Sequence, residues 1–277
     1  MKSIYVISIC MLVSIVAGCS CNQGEAKESF YLSRGTDLTY EIVYDDDGIK
    51  IREAFLGKFD TWRDFSMPKT RIHDEITDLG LGTQYGECFH QSLRATEWCT
   101  DTVKISADGV VNRFNLVSNS IGMGGHYLLK KNGNLIWEGD WRAMTCGPVL
   151  SAKRIGDGIA FDYIDAIPER FMDSILFVSD DRVTDVVATM DYDAAYAPCE
   201  VQGKLAYFAK IYSPEAKTFF LIDGREVGKR YDSVFNQCCC WDGPPIRVAC
   251  NGQIVDFFAV KEGEWYHVQA GDLDSLK

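Results

Sequence analysis

Residues 203–232 indicate the fold most clearly. They begin Gly203-Lys204-Leu205-Ala206-Tyr207-Phe208 and continue, after a polar stretch, with Thr218-Phe219-Phe220-Leu221-Ile222-Asp223-Gly224-Arg225-Glu226-Val227. Aromatic and β-branched residues favour strands. Asp-Gly suits a two-residue hairpin turn, because both turn residues need positive φ. The stretch therefore predicts a strand followed by a tight hairpin.

The hairpin pattern recurs along the second half of the chain. Apolar strand–turn–strand segments occupy residues 126–136, 174–183 and 218–227, and Asn132-Gly133 is a second turn dipeptide of the same type. The steps between corresponding leucines are 48 and 45 residues, measured at Leu128, Leu176 and Leu221. A second strand recurs between the hairpins, with steps of 45 and 49 residues, at Gly158, Gly203 and Gly252. A period near 45 residues with about four strands is typical of a β-propeller blade.

Residues 203–232 also resemble the WD40-like repeats of bacterial envelope proteins, which alternate a Gly-Lys-x-Ala-Tyr strand with an aromatic hairpin ending in Tyr-Asp. The matching motifs are Gly203–Tyr207 and Tyr231-Asp232, and degenerate copies extend over about residues 126–270. The resemblance implies architecture and transfers no catalytic residue. The predicted fold is all-β: a β-propeller-like array of four-stranded antiparallel units, about three to five blades, supported by disulfides.

The first half of the domain is less regular. Residues 38–52 and 103–111 each alternate around an acidic, glycine-containing turn and predict hairpins. As separate blades they would give five units in all. Residues 58–100 lack periodicity and could be an insertion, a small subdomain or a degenerate blade.

The N-terminus has the features of an export signal. An apolar run of about thirteen residues is shorter than the ~20 that a membrane-spanning helix needs. The following Val16-Ala17-Gly18-Cys19 resembles the lipobox of bacterial lipoproteins, although that family usually has Leu where Val16 stands. The resemblance implies cleavage before Cys19 and acylation of its thiol. Ser20, in place of Asp, favours the outer membrane over the inner one by the same analogy.

The chain is therefore divided into three parts. Residues 1–18 are predicted to be a lipoprotein signal peptide and residues 19–35 an acylated flexible tether. Residues 36–277 form the β-propeller-like domain, less regular over 36–125 and repetitive over 126–277. No later segment is apolar for long enough to predict a second membrane span.

The charge of the chain restricts its partners. The sequence has 28 basic and 40 acidic residues, and removal of residues 1–18 takes away Lys2, leaving 27 against 40, or −13. An acidic surface argues against binding of nucleic acid or anionic lipid headgroups by the domain.

Nine cysteines remain after Cys10 of the signal and Cys19 are set aside. In an oxidising compartment they predict up to four disulfides and one leftover thiol, for which Cys21 in the tether is suited. The disulfide candidates are Cys88, Cys99, Cys146, Cys199, Cys238, Cys239, Cys240 and Cys250. Cys88 and Cys99 could close a local loop, whereas the three consecutive cysteines favour different partners among Cys146, Cys199 and Cys250. No Cys-x-x-Cys pair occurs and no histidine lies near the triplet, so no metal or cofactor is predicted.

No catalytic constellation is recognisable. Asp45-Asp46-Asp47-Gly48 lacks the distal Glu of an EF-hand loop and favours a hairpin turn. His73 and His90 are weak candidates for a base or metal ligand. Asp162, Asp165 and Glu169 are close in sequence, but glycoside hydrolysis depends on the separation of carboxylates in space. Trp137, Trp141, Trp241 and Trp265 suit carbohydrate binding or blade packing.

These features favour a membrane-anchored envelope lipoprotein acting as a non-enzymatic binding or scaffolding module. Its expected partners are the membrane, through the lipid, and an envelope protein or glycan. The alternative is a secreted hydrolase or lyase with its site in the propeller funnel. In either case the domain would lie in the periplasm or at the cell surface.

Overall fold

The computed structural model describes residues 38–59, 99–107, 110–121, 124–141, 149–167, 170–180, 182–236 and 248–276. The predicted signal peptide and tether, including Cys19, lie outside these residues, as do most of residues 58–100. Within them no helix is long and apolar enough to cross a membrane.

The described residues are all-β apart from two single turns of helix, and their strands form four antiparallel sheets. Sheet I contains β3 (Cys99–Ala107), β4 (Val110–Ile121), β5 (Gly124–Lys131) and β6 (Asn134–Trp141). Sheet II contains β7 (Val149–Ile155), β8 (Gly158–Ile167), β9 (Arg170–Ser179) and β10 (Arg182–Asp185). Sheet III contains β11 (Ala194–Val201), β12 (Lys204–Ile211), β13 (Lys217–Ile222) and β14 (Arg225–Glu226).

Sheet IV combines strands from both ends of the described chain. It contains β1 (Glu41–Asp46), β2 (Ile49–Lys58), β15 (Ser233–Val234), β16 (Ala249–Cys250), β17 (Ile254–Lys261) and β18 (Glu264–Gly271). Its order is β1-β2-β18-β17, and both β15 and β16 pair with β17. The two helical turns are α1 (Val186–Thr189), after sheet II, and a 3₁₀ turn (Leu273–Leu276), after sheet IV.

The predicted four-stranded antiparallel units are confirmed. The marker residues of the repeat occupy equivalent places, each on the third strand of its own sheet: Leu128 on β5, Leu176 on β9 and Leu221 on β13. Gly158 begins the second strand of sheet II, and Gly203 precedes the second strand of sheet III by one residue. Sheets I, II and III are thus each one unit of the sequence repeat.

The two N-terminal hairpins are also confirmed, and the described residues form four sheets, within the predicted three to five units. The hairpin β1–β2 is not a separate unit, since β2 pairs with β18 along eight residue pairs, from Lys50↔Gly271 to Lys58↔Glu264. The hairpin β3–β4 belongs to sheet I together with β5 and β6. The periodicity of the sequence does not show which distant strands pair. It therefore did not predict that the first hairpin would join the last sheet.

The turns have the backbone that their sequences predict. Asn132-Gly133 has φ of 50° and 86°, Asp223-Gly224 has 50° and 75°, and Asp47-Gly48 has 55° and 76°. Positive φ at both turn residues matches the right-handed twist of the flanking strands. Asp47 is therefore part of a hairpin turn, as the sequence favoured over a calcium loop.

Neighbouring sheets pack in chain order. Strand β6 of sheet I contacts β8 and β10 of sheet II, and β11 of sheet III contacts β7, β8 and β9. On its other side β11 contacts β16 and β17 of sheet IV. Among the described residues, two apolar cores lie between neighbouring sheets. One lies between sheets II and III and includes Ile175, Tyr207 and Leu221. The other lies between sheets III and IV and includes Phe208, Phe220 and Phe257.

The predicted disulfide support is not borne out where it can be examined. Cys199 and Cys250 are buried in the core between sheets III and IV and lie near each other, and the structure does not show a disulfide between them. Cys99 begins β3. The remaining candidates, Cys88, Cys146 and Cys238–Cys240, lie outside the described residues.

Candidate functional site

Sheet IV contains a buried polar network that joins the two ends of the described chain. Its members, here called the terminal network, are Tyr40, Arg52, Asp256, His267 and Gln269. Asp256 lies on β17 opposite Gln269 of β18, and Gln269 lies opposite Arg52 of β2. Because side chains of directly paired residues share a face of a sheet, these groups meet on one surface. It is the face opposite to Phe257 and Val268, which pack towards sheet III.

Short hydrogen bonds connect the side chains of the network. His267 Nε2 and Asp256 Oδ1 are 2.7 Å apart, and Gln269 Nε2 donates to Asp256 Oδ2 at 2.8 Å. Arg52 donates from Nε and Nη2 to Gln269 Oε1 at 2.8 and 2.5 Å. Tyr40 completes it. Its hydroxyl is 2.6 Å from His267 Nδ1, and the Arg52 guanidinium lies 4.4 Å from the centre of its ring.

An Asp–His–Tyr chain could in principle deliver a proton, but here the imidazole has no free nitrogen. Asp256 and His267 are each 1% exposed, and both ring nitrogens of His267 bond within the network. A general base needs a nitrogen within reach of the substrate proton. The network therefore connects Tyr40 and Arg52, near the start of the domain, to β17 and β18, near its end.

Two aspartates in the connections between sheets have matching structural roles. Asp193 precedes β11, its N–H donates to the Lys210 carbonyl, and its Oδ2 accepts from the Tyr212 N–H at 2.7 Å. Asp232 precedes β15, its N–H donates to the Val260 carbonyl, and its Oδ2 accepts from the Glu262 N–H at 2.6 Å. Each carboxylate thus fixes the turn after the strand that pairs with the strand it precedes: β12, which pairs with β11, and β17, which pairs with β15. The Tyr-Asp pair of the sequence motif has this role at Asp232.

Tyr231, the other half of that motif, binds the buried carboxylate of Glu53. The Tyr231 hydroxyl donates to Glu53 Oε1 at 2.8 Å, and burial, together with the Glu53 charge, raises the pKa of Tyr231 well above its ordinary value. Lys229 and Lys261 lie 3.7 and 3.6 Å from Glu53 Oε2. This group therefore holds the chain leaving sheet III against β2.

A pair of carboxyl groups between sheets II and III is less completely bonded. Asp162 lies on β8 and is 2% exposed; its Oδ2 accepts from the Ala197 N–H at 3.0 Å, at a bulge in β11 where Ala197 has φ of 53°. Its Oδ1 has no hydrogen-bond partner among the described residues. Burial, and then the charge of Asp173 on β9, raise the pKa of Asp162 well above its usual range. Burial also raises the pKa of Asp173 to about 6, against the opposing effect of Lys210.

The other residues singled out in the sequence are dispersed. Asp165 lies on β8 and Trp141 at the end of β6. A further acidic residue, Asp185, caps α1 by accepting from the Ala188 N–H and also binds Tyr163 and Ser174. Trp137 makes an edge contact with Tyr163, and Trp265 is buried against Phe235, so both have packing roles. His73, His90, Glu169 and Trp241 lie outside the described residues. In the part of the chain that the structure describes, no cluster of three or more metal-ligating side chains occurs.

The terminal network was not recognised in the sequence. Its members are separated by up to 229 positions, from Tyr40 to Gln269, so no local motif contains them. A usable signal was present, however. Asp256 and His267 interrupt strands that are otherwise apolar, and a buried polar residue normally has a hydrogen-bond partner.

Comparison with known proteins identifies no relative. No family model, no curated protein and no solved structure matches the chain.

Proposed function

We propose that this chain is an envelope lipoprotein, anchored through acylated Cys19, whose β-domain is a propeller-like binding or scaffolding module. The observation that carries the proposal is the arrangement of the sheets. Three four-stranded units follow one another, and a fourth is assembled from both ends of the described chain.

A shared last sheet supports a closed array. A radial array of sheets must join its last unit to its first, and pairing β2 with β18 ties the start of the domain into the final sheet. The terminal network adds side-chain bonds to that junction. Closure of this kind makes a rigid frame, and rigid frames are suited to presenting loops to a partner.

Binding is favoured over catalysis because the buried and capping charged groups have structural roles. Asp185, Asp193, Asp232, Glu53 and the Asp256–His267 pair each hold two segments of the described chain together. The expected partner is an envelope protein or a glycan, since the net charge argues against nucleic acid.

One observation favours the alternative, a secreted hydrolase or lyase. Asp162 and Asp173 are neighbouring carboxyls with raised pKa values, and such a carboxyl can act as a general acid. Asp162 already binds a backbone N–H, however, and the pair lies between two packed sheets.

The binding proposal is tested by photo-crosslinking in cells that produce the full chain. A photoreactive phenylalanine analogue replaces Tyr212, 46% exposed after the second strand of sheet III, or Leu135, 51% exposed beside the last turn of sheet I. In a propeller-like arrangement these positions lie at opposite ends of the frame. We expect a discrete protein or glycan adduct at one position, with the other as matched control. Absence of adducts at both positions, together with hydrolytic activity lost in Asp173→Asn, would establish the alternative.

The anchor has its own test. Cys19→Ala should abolish incorporation of a labelled fatty acid and release the chain from the membrane fraction, whereas Cys21→Ala should change neither. Continued labelling of Cys19→Ala would show that the acylation site is wrongly assigned.

A further inference from the structure

The core between sheets III and IV contains two cysteines that come from different sheets. Cys199 lies on β11 and Cys250 on β16, and they are 2% and 0% exposed. They are 51 positions apart in the sequence, and the intervening chain contains most of sheet III. The sequence favoured the Cys238–Cys240 triplet as the source of their partners and did not indicate that these two would be neighbours.

An isolated backbone bridge lies close to the two cysteines in sequence. Val201 and Gly252 form a parallel bridge, and the Gln202 N–H donates to the Gly252 carbonyl at 2.8 Å. Cys199 is two residues before Val201, and Cys250 is two residues before Gly252. In parallel strands the residues two positions before a bridged pair are again opposite each other, with their side chains on the same face.

The two cysteines lie near each other, as a disulfide requires. Paired strands are about 4.8 Å apart, and bridged cysteines have Cα atoms roughly 4.4–6.8 Å apart. Both side chains belong to the same apolar core, so they point into one volume.

We propose that Cys199 and Cys250 are a modification site, the two halves of a disulfide that joins the first strand of sheet III to β16 of sheet IV. The two thiols lose two protons and two electrons as one S–S bond forms. The electrons reduce the disulfide of the oxidant, a thiol–disulfide exchange partner such as the oxidant of an exporting compartment, to two thiols. Because both sulfurs are buried in the folded chain, the exchange occurs during folding or local opening.

The bond has a specific place in the fold. Residues 235–248, which include the Cys238–Cys240 triplet, connect β15 to β16, and the Val248 N–H donates to Asn236 Oδ1 at 3.3 Å across the ends of that segment. A disulfide at Cys250 therefore fixes the point at which the chain returns to sheet IV. Formation of this disulfide in cells rests on the export that the proposed function includes. The ability of the two cysteines to form it in vitro does not depend on export.

The proposal is tested on the purified full chain, refolded in a buffer of reduced and oxidised glutathione. Remaining thiols are alkylated in denaturant, and the digested chain is analysed by mass spectrometry without reduction. We expect one linked peptide pair containing Cys199 and Cys250. Recovery of both cysteines alkylated, or linked to other cysteines, after oxidation is complete would overturn the proposal. Since no export or partner is involved, this result is separate from any failure of the binding or anchoring tests.

Thermal unfolding supplies a second readout. Reductant should lower the midpoint of the oxidised chain by roughly 5–15 °C. The double variant Cys199→Ala/Cys250→Ala should respond less than the unaltered chain by about this amount, and Cys21→Ala should respond as the unaltered chain does. Each single variant should respond to reductant as the double variant does. An equal response to reductant in the unaltered chain and the double variant would refute the pairing, even where the variants are less stable.

Discussion

Asp256 is the residue on which the terminal network most depends, because its two carboxylate oxygens accept from different side chains. His267 and Gln269 approach from β18, and both are almost completely buried. A buried donor without an acceptor loses its bonds to water and gains nothing in return.

Asp256→Ala should therefore lower the free energy of unfolding by roughly 3–5 kcal/mol, measured by urea denaturation. Asp256→Asn keeps the shape and one acceptor, so about 1–3 kcal/mol is expected. Asp274→Ala is the control, since the Asp274 carboxylate is exposed where it pairs with Lys50 and its loss should change stability little. An Asp256→Ala variant as stable as the Asp274→Ala variant would contradict the network.

Asp173 should make stability depend on pH in a direction opposite to that of an ordinary ion-paired aspartate. Burial raises the folded-state pKa of Asp173 to about 6, above that of the unfolded chain, so the folded state binds the proton more tightly. This contribution to stability is complete below pH about 4 and is lost as the pH rises through about 6.

Asp173→Asn removes this titration. The difference in unfolding free energy between Asp173→Asn and the unaltered chain should change by roughly 1–3 kcal/mol between pH 4 and 7, in favour of the variant at the higher pH. Urea denaturation at several pH values measures it, and Asp180→Asn at an exposed turn should show no such trend. A difference independent of pH would mean that Asp173 is solvated.

At the scale of the strand and the turn, the sequence was most informative. Asn132-Gly133 and Asp223-Gly224 were recognised as hairpin turns because a two-residue turn imposes a local requirement on φ. The spacing of Leu128, Leu176 and Leu221 predicted equivalent hairpins, and each lies on the third strand of a separate sheet. The pairing of β2 with β18 was not predictable, because it joins segments more than 200 positions apart. The local sequence of a strand does not indicate which distant strand will pair with its edge.

The ends of strands in sheet IV offer a matched pair of glycine substitutions. Gly271 has φ of 130°, and a Cβ there would lie 2.1 Å from the Gln253 carbonyl oxygen. Gly48 has φ of 76° but open space around the position. Gly271→Ala should cost roughly 2–4 kcal/mol of unfolding free energy, and Gly48→Ala about 1 kcal/mol, from backbone strain alone. Equal costs in urea denaturation would show that the backbone of residue 253 does not approach Gly271.

For the whole molecule, the sequence predicted an array of four-stranded units but not how the array ends. The unit containing Gly252 looked like another blade, and residues 38–52 looked like a separate one. They are halves of the same sheet. The polar residues of the terminal network meet only because the two halves form one sheet. Tyr40 and Arg52 come from one half, and Asp256, His267 and Gln269 from the other.

The joining of the two ends in sheet IV is the central claim, and hydrogen exchange of the native full chain tests it most directly. Peptides from β2 and from β17–β18 should be protected to a similar degree and should lose protection together under mild denaturant, because their backbone bonds belong to one sheet. Rapid exchange throughout β2 while β17–β18 remain protected would contradict the claim.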